Sequence, residues 1–133
     1  MTITAQLHRA HGSLTTLSDG RHAWAADVDK PLGGTDLAPD PHALLDAALA
    51  ACTTLTLELY IRRRNLPVTD LKVSVEHTES RDAEGQSVYQ LTRQIHIDGA
   101  LSDEDRAKLL EIANKCPIHR TLLGEVQIAS ALV

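Results

Sequence analysis

The sequence is poor in aromatic residues and has no excess of positive charge. Phenylalanine is absent, Trp24, Tyr60 and Tyr89 are the only tryptophan and tyrosines, and the formal net charge is −5. Proteins that bind single-stranded nucleic acid stack the bases on aromatic rings, and duplex binders neutralise phosphates with Lys and Arg. We therefore expect no nucleic-acid partner, and we interpret the basic run at 62–64 as the end of a helix.

Cysteine is scarce as well, and several catalytic motifs are missing. The only cysteines are Cys52 and Cys116, no glycine-rich phosphate loop follows a predicted strand, and no Gly-x-Ser-x-Gly turn is present. The amino terminus lacks the apolar region of a signal peptide, and no segment free of charge reaches membrane-spanning length. We expect a soluble cytoplasmic protein without a membrane partner. In that compartment two thiols are seldom a permanent disulfide, so a redox or catalytic role competes with inert burial.

The longest apolar run, at 41–64, predicts one helix at the centre of a single domain that spans 1–133. Asp40 suits the N-cap position and Pro41 the first helical position. Apolar residues cover most of this helix, so it needs cover on more than one side. We predict that a second subunit supplies part of the cover in a homodimer; the alternative is cover within one chain. Steps of three and four place the following side chains on one face: Leu45, Ala48, Cys52, Leu55 and Leu59.

The rest of the chain alternates in the manner of β-strands, with one further helix. That helix follows an N-cap at Ser102, ends at Cys116–Pro117 and is followed by a short turn at 118–123. This order predicts an α+β fold with a mostly antiparallel sheet packed on the two helices. The residues predicted to face inward on the second helix are Ala107, Leu110, Ile112 and Ala113. The predicted strands are 2–8, 13–17, 22–28, 71–77, 88–97 and 125–133.

The two cysteines are the candidate catalytic residues. Cys52 lies in the middle of a helix, so its thiolate would need a nearby cation, and arginine is the best candidate because it keeps its charge. Cys116 lies near a predicted helix C-terminus, which disfavours a thiolate and suits a resolving role. The alternative is that both are small buried apolar side chains, the commoner role of an arbitrary cysteine pair. Cys116 and His119 have the spacing of half a zinc site, but the second half is missing, so we predict no metal.

Two segments together resemble the OsmC/Ohr family, in particular its OsmC-like redox branch. They are KPLGGTDLAPDPHALLDAALAACTTLTLELY and ALSDEDRAKLLEIANKCPIHRTLLGEVQIASALV, in that order and over nearly the whole chain. The resemblance implies an OsmC-like α+β fold, an intertwined homodimer, and a thiol peroxidase that reduces organic hydroperoxides without a metal or cofactor. In that scheme Cys52 is the peroxidatic thiolate that becomes a sulfenic acid. Cys116 then resolves it to a disulfide, which an external dithiol reduces.

The resemblance also implies an arginine that a glutamate of the central helix holds over the reactive sulfur. His42 occupies the position of that glutamate. Arg9, in the first predicted hairpin, is the nearest candidate for the arginine, and Arg21 is a second one. Imidazole cannot form the bidentate pair that a carboxylate forms with arginine. We therefore expect lower peroxidase activity than in the main branches, or a different electrophile.

Two other functions are compatible with the same residues. One is a protein with weak or no catalysis that binds a small hydrophobic molecule beside Cys52 or senses redox state. A pKa of Cys52 near that of free cysteine favours this function, whereas a strongly lowered pKa favours catalysis. The other is protein disulfide exchange, which requires a thiol that a large partner can reach.

Overall fold

The computed structural model describes residues 1–133 and divides them into two compact units. The first unit spans Met1–Leu45 and the second spans Asp46–Val133. The elements are α+β with antiparallel sheets, as the sequence predicted, and there are three α-helices where two were predicted. The single domain over 1–133 stays a prediction.

The first unit contains three short antiparallel strands. β1 (Thr4–Leu7) pairs with β2 (Thr15–Ser18), and β2 pairs with β3 (Ala23–Ala26). These strands are shorter than the segments predicted from the sequence. Ser-Asp-Gly at 18–20 turns the chain between β2 and β3, as its composition favours.

Buried Asp27 follows β3 and connects it to the loop before the central helix. Its carboxylate accepts hydrogen bonds from the hydroxyl groups of Ser13 and Thr35, and from the backbone N–H groups of Val28 and Leu37. The hydroxyl groups of Ser13 and Thr35, with the backbone N–H groups after them, hold the pKa of Asp27 well below its usual range. The carboxylate therefore stays charged and orders this loop.

The long apolar run forms α1, which spans Pro41–Arg64 and confirms the predicted bounds. Asp40 accepts a hydrogen bond from the N–H of Ala43 at 2.7 Å, which confirms it as the N-cap. The apolar face singled out in the sequence is not the face that the single chain buries, because Leu55 and Leu59 are 62% and 60% exposed. Periodicity cannot select one face of a helix that is apolar nearly all round. The buried side chains of α1 are Leu49, Thr53, Leu57 and Ile61.

By length and composition alone, α1 could cross a membrane. Its most apolar window has a mean hydropathy of 1.5, and 22% of that window is buried in the single chain. Core helices of soluble proteins have the same composition. The sequence analysis predicted a second subunit because an apolar helix of this kind needs cover on more than one side, and much of α1 is exposed in the single chain.

A long hairpin and two further helices complete the second unit. β4 (Val68–Arg81) pairs with β5 (Ser87–Gly99) in an antiparallel ladder, and burial alternates along both strands. α2 (Asp103–Ala113) begins after Ser102, whose Oγ accepts a hydrogen bond from the N–H of Asp105 at 3.0 Å. The predicted cap is therefore confirmed.

The apolar core of this unit is formed where α1, α2 and the hairpin meet. Ala107 and Leu110 were predicted to face inward on α2, but Ala107 is exposed and Leu110 is 59% exposed, whereas Leu109 is completely buried. Successive residues of a helix are turned by about 100°, so only one of the two can face the core. The buried residues of this cluster are Leu57, Ile61, Leu109 and Ala113. The side chains that flank it are Tyr60, Leu66, Val68, Leu71, Ile95, Ile97, Leu101 and Ile112.

The end of the chain differs from the prediction in two ways. The predicted turn at 118–123 is a short helix, α3 (Pro117–Leu123). The predicted strand at 125–133 has no regular secondary structure, and Ile128 is 87% exposed. A strand needs a neighbour that satisfies its backbone hydrogen bonds, and no strand of the chain pairs with this segment.

Candidate active site

Cys52 and Cys116 lie next to each other in the second unit. Cys52 is half-buried on α1, whereas Cys116 is fully buried directly before α3, and both are free thiols. The two side chains interact closely enough for each to shift the pKa of the other. The structure therefore brings together the two cysteines that the sequence singled out, and it leaves Cys52 the more accessible of the two.

Cys116 begins a helix, although the sequence placed it at the end of one. α2 ends at Ala113, and the Sγ of Cys116 accepts a hydrogen bond from the backbone N–H of His119 at 3.4 Å, as the N-cap of α3. The prediction that the end of a helix disfavours a thiolate here is therefore wrong. Pro117 explains the difference, because proline suits the first position of a helix as well as it stops a preceding one.

The environments of the two thiols shift their pKa values in opposite directions. Burial raises the pKa of Cys52, and the hydrogen bond with Cys116 raises it further. Burial also raises the pKa of Cys116, but the interaction with Cys52, the N–H of His119 and the nearby hydroxyl of Thr53 outweigh it and lower that pKa. Negative charge in this pair therefore favours Cys116, with Cys52 as the thiol that donates to it.

An arginine that the sequence analysis did not single out binds residues that flank the two cysteines in sequence. Arg93 is on β5, and its Nη1 donates to Thr53 Oγ1 at 2.9 Å and to the carbonyl of Ala113 at 3.4 Å. Its Nη2 donates to Asn114 Oδ1 at 2.8 Å and contacts His119 Nδ1 at 3.2 Å. Because a guanidinium can only donate, Nδ1 of His119 is the acceptor, and that ring is neutral with its proton on Nε2. All four partners of Arg93 are neutral groups.

The residues around the thiols do not form a metal site. Nδ1 of His119 accepts a hydrogen bond from Arg93, and the positive guanidinium beside it opposes a metal cation. A group with metal-ligand chemistry lies elsewhere, where Asp70, His96 and Asp98 bring their ligand atoms within 4.8 Å of one another. All three are exposed, and neither cysteine belongs to the group.

A second polar cluster joins α1 to the hairpin. Asp46 Oδ1 accepts a hydrogen bond from the hydroxyl of Tyr89 at 2.6 Å, and Oδ2 accepts one from Nδ1 of His77. The two rings stack with their centroids 4.7 Å apart. This carboxylate therefore orients two aromatic side chains on neighbouring strands and fixes the start of the α1 segment in the second unit.

The predicted supporting residues belong to the first unit. Arg9 is exposed in a one-turn 3-10 helix, Arg9–His11, and His42 is exposed in the first turn of α1. Their roles at the thiols stay predictions.

The cation nearest in the network around the thiols of the second unit is Arg93, which binds Thr53 and His119. The sequence does contain a signal for this role of Arg93. Arg93 stands two residues after Leu91 and two before Ile95, so in a strand it lies on the same inner face as these apolar residues.

The family model for OsmC-like proteins matches residues 34–131. The chain belongs to the OsmC-like family. Among solved structures, this OsmC-like protein is similar to an OsmC-like protein from Mycoplasma pneumoniae, with a TM-score of 0.78 and 24% identity over 92% of this chain and 86% of that one. The fold match confirms the OsmC-like α+β architecture.

Two further similar structures carry functional names. One is an organic hydroperoxide resistance protein OsmC from Legionella pneumophila, with a TM-score of 0.69 and 22% identity over 93% of this chain and 90% of that one. The other is the organic hydroperoxide resistance protein OhrB of Bacillus subtilis, with a TM-score of 0.66 and 22% identity over 92% and 90%. These similarities establish a shared fold. No curated protein sequence matches this OsmC-like chain.

Proposed function

We propose that this OsmC-like protein is a thiol-dependent organic hydroperoxide reductase that uses Cys52 and Cys116. The observation that carries the proposal is the adjacent pair of free thiols, one half-buried and one fully buried. Family membership supports it, as do similar folds named as organic hydroperoxide resistance proteins. The partners in this proposal are a small hydroperoxide, a reducing dithiol and a second copy of the chain, in the cytoplasm.

The first step belongs to Cys52, because it is the sulfur that a substrate can reach. Its sulfur attacks the terminal oxygen of the hydroperoxide, the O–O bond breaks, and the sulfur becomes a sulfenic acid. The proton of Cys52 passes to the thiolate of Cys116 and then to the departing alkoxide, which leaves as an alcohol. Cys116 acts here as a general base, which compensates for the raised pKa of Cys52.

The second step belongs to Cys116, which is a thiolate again once the alcohol has left. Its sulfur attacks the sulfur of Cys52, the S–O bond breaks, and hydroxide leaves and takes up a proton to form water. An external dithiol then returns two electrons and two protons to the disulfide. The net reaction converts a hydroperoxide and a dithiol into an alcohol, water and a disulfide.

Consumption of a dithiol in the presence of cumene hydroperoxide tests this proposal. Cys52→Ser should abolish turnover, because no accessible sulfur remains to attack the peroxide. Cys116→Ser should still accept one oxygen at Cys52, which mass spectrometry detects as a sulfenic acid, but should not form the internal disulfide. Unchanged turnover in Cys52→Ser contradicts the proposal.

The homodimer is part of the same proposal. Exposed Leu55 and Leu59 on α1, together with exposed Ile128 in the final segment, are apolar surfaces that a second copy would cover. Light scattering after size exclusion should show a dimer, and Leu55→Glu with Leu59→Glu should convert it to a monomer. The matched control is Leu110→Glu, at an equally exposed leucine of α2, which should remain dimeric. A monomeric native protein at micromolar concentration contradicts this part.

One observation favours the second candidate, a redox-sensing or ligand-binding protein. The raised pKa of Cys52 makes this sulfur a poor nucleophile unless another group takes its proton. The rate at which Cys52 reacts with cumene hydroperoxide separates the two functions. A rate near that of free cysteine supports sensing or binding, and a rate far above it supports the reductase.

A further inference from the structure

We propose that Arg93 is a positioning residue of the thiol pair, which acts through Thr53 and His119 to stabilise negative charge on Cys116. The inference rests on the proposed function, because it assigns Arg93 to the two moments when Cys116 is a thiolate. These are the transfer of the proton from Cys52 and the attack on oxidised Cys52.

The first route runs through the hydroxyl of Thr53. Its oxygen accepts a hydrogen bond from Arg93 at 2.9 Å, so its single hydrogen must point to another acceptor. In the structure it points to the carbonyl of Leu49 at 2.7 Å, and the sulfur of Cys116, whose pKa this hydroxyl lowers, is the alternative acceptor. A thiolate is the stronger acceptor of the two, so the hydroxyl can turn to Cys116 when that sulfur is charged. The hydrogen bond from Arg93 polarises the hydroxyl and strengthens this donation.

The second route runs through His119. The guanidinium holds Nδ1 of this ring at 3.2 Å and thereby fixes the residue whose backbone N–H donates to Cys116. The ring itself stays neutral in this arrangement and adds no charge to the site. Arg93 thus determines the placement of two of the donors that point at the sulfur.

Arg93 is also the permanent charge at this site. The titratable groups next to Cys116 are Cys52 from α1 and His119 from α3, and Arg93 from β5 is bonded to His119 and Thr53. Lys115, the neighbour in sequence, is exposed and pairs with Glu111. The partners of Arg93 are all neutral, so its charge is not compensated by a carboxylate bound to it. A thiolate at Cys116, next to the Thr53 and His119 groups that Arg93 binds, supplies negative charge near the guanidinium.

Matched variants of the chain separate this role from simple packing. The Cys52→Ser protein contains Cys116 as its single thiol, and thiolate absorbance at 240 nm can be followed against pH, with Cys52→Ser/Cys116→Ser as the baseline. In this background Thr53→Val and Arg93→Gln should move the midpoint to higher pH, and Thr53→Ser should restore it. Thr54 bonds the carbonyl of Ala50 in the same way but does not bind Arg93, so Thr54→Val is the control for the helix.

The corresponding control for the arginine is Arg106→Gln. Arg106 donates only to backbone carbonyls, those of Ile97 and Gly99. In chains that keep both cysteines, Thr53→Val and Arg93→Gln should slow disulfide formation after peroxide addition about tenfold, as expected when a hydrogen bond to a charged group is lost. Thr54→Val and Arg106→Gln should leave that rate unchanged.

An equal midpoint in Thr53→Val and Thr54→Val overturns the proposal. If Arg93→Gln does not fold, the titration midpoints of Thr53→Ser and Thr53→Val are compared instead, and the proposal is tested without changing the arginine. The outcome is separate from that of the proposed function. If the thiols titrate as expected but do not react with peroxide, the reductase is contradicted, whereas the role of Arg93 as a positioning residue for Cys116 is supported.

Discussion

The buried face of α1 has two halves that differ in chemistry. Towards the C-terminus it presents Leu57 and Ile61 to an apolar core. Towards the N-terminus it presents Asp46 to two aromatic donors and Thr53 to Arg93. The apolar half removes hydrocarbon from water, whereas the polar half forms directional hydrogen bonds, among them those of Thr53 next to Cys52. One helix therefore contributes both to the apolar core that stabilises the unit and to the polar region where a thiolate can form.

Because of this difference, we expect substitutions in the two halves of α1 to affect different properties of the protein. A cavity in the apolar half lowers the free energy of unfolding but leaves the donors around Cys116 in place. A lost donor in the polar half changes proton positions at the thiols for a smaller loss of stability. The following predictions test that separation, from the largest expected effect to the smallest.

Leu109→Ala should lower the free energy of unfolding by about 2–5 kcal/mol, because it opens a cavity at a fully buried site. Urea unfolding followed by circular dichroism measures this loss. The adjacent Leu110→Ala is the control and should change stability by less than about 1 kcal/mol, since its side chain is mostly exposed. Equal losses in the two variants would show that the apolar core is not where the structure places it.

Asp46→Asn should lower the free energy of unfolding by about 1–3 kcal/mol, as expected when hydrogen bonds to a charged group are weakened. The carboxylate accepts from both His77 and Tyr89, and an amide offers only one acceptor oxygen for the two donors. The same urea measurement applies. Asp70→Asn, at an exposed carboxylate paired across the ladder with Asp98, should cause no loss.

Cys116→Ser should slow the oxidation of Cys52 at pH 7 by about tenfold, or ~1.4 kcal/mol in the barrier. The pKa of Cys116 lies below the ordinary value of 9.0 and that of Cys52 lies above it. The rate in the native protein should therefore rise with pH and level off below pH 9, whereas the variant, in which burial still raises the pKa of Cys52, should level off at a higher pH than the native protein. Stopped-flow measurement of peroxide consumption gives both profiles. Superimposable profiles contradict the role of Cys116 as a base.

Much of the fold could be predicted because its signals are local. The N-cap at Asp40, the bounds of α1, the cap at Ser102 and the long hairpin follow from residue types within a few positions. The family also followed from the two cysteine motifs. The buried face of α1 and the absence of a final strand depend on which partners lie nearby, and the sequence of one chain carries no local signal for that.

The site was predictable in its cysteines but not in the groups around them. Cys52 and Cys116 stand out by chemistry, whereas Thr53 resembles any threonine of a helix. Arg93 and Tyr89 occupy inward positions of an alternating strand, where polar residues need partners. That alternation could have identified them as buried polar residues. It could not have shown that Arg93 contacts Thr53, because the two are 40 residues apart and meet only in the folded unit.

The most direct test of the thiol pair is the intact mass and free-thiol count before and after one equivalent of cumene hydroperoxide. We expect both thiols to disappear with a mass decrease of about two hydrogens, since Cys52 and Cys116 then form a disulfide. Two surviving thiols and an unchanged mass would contradict the peroxide chemistry of the pair.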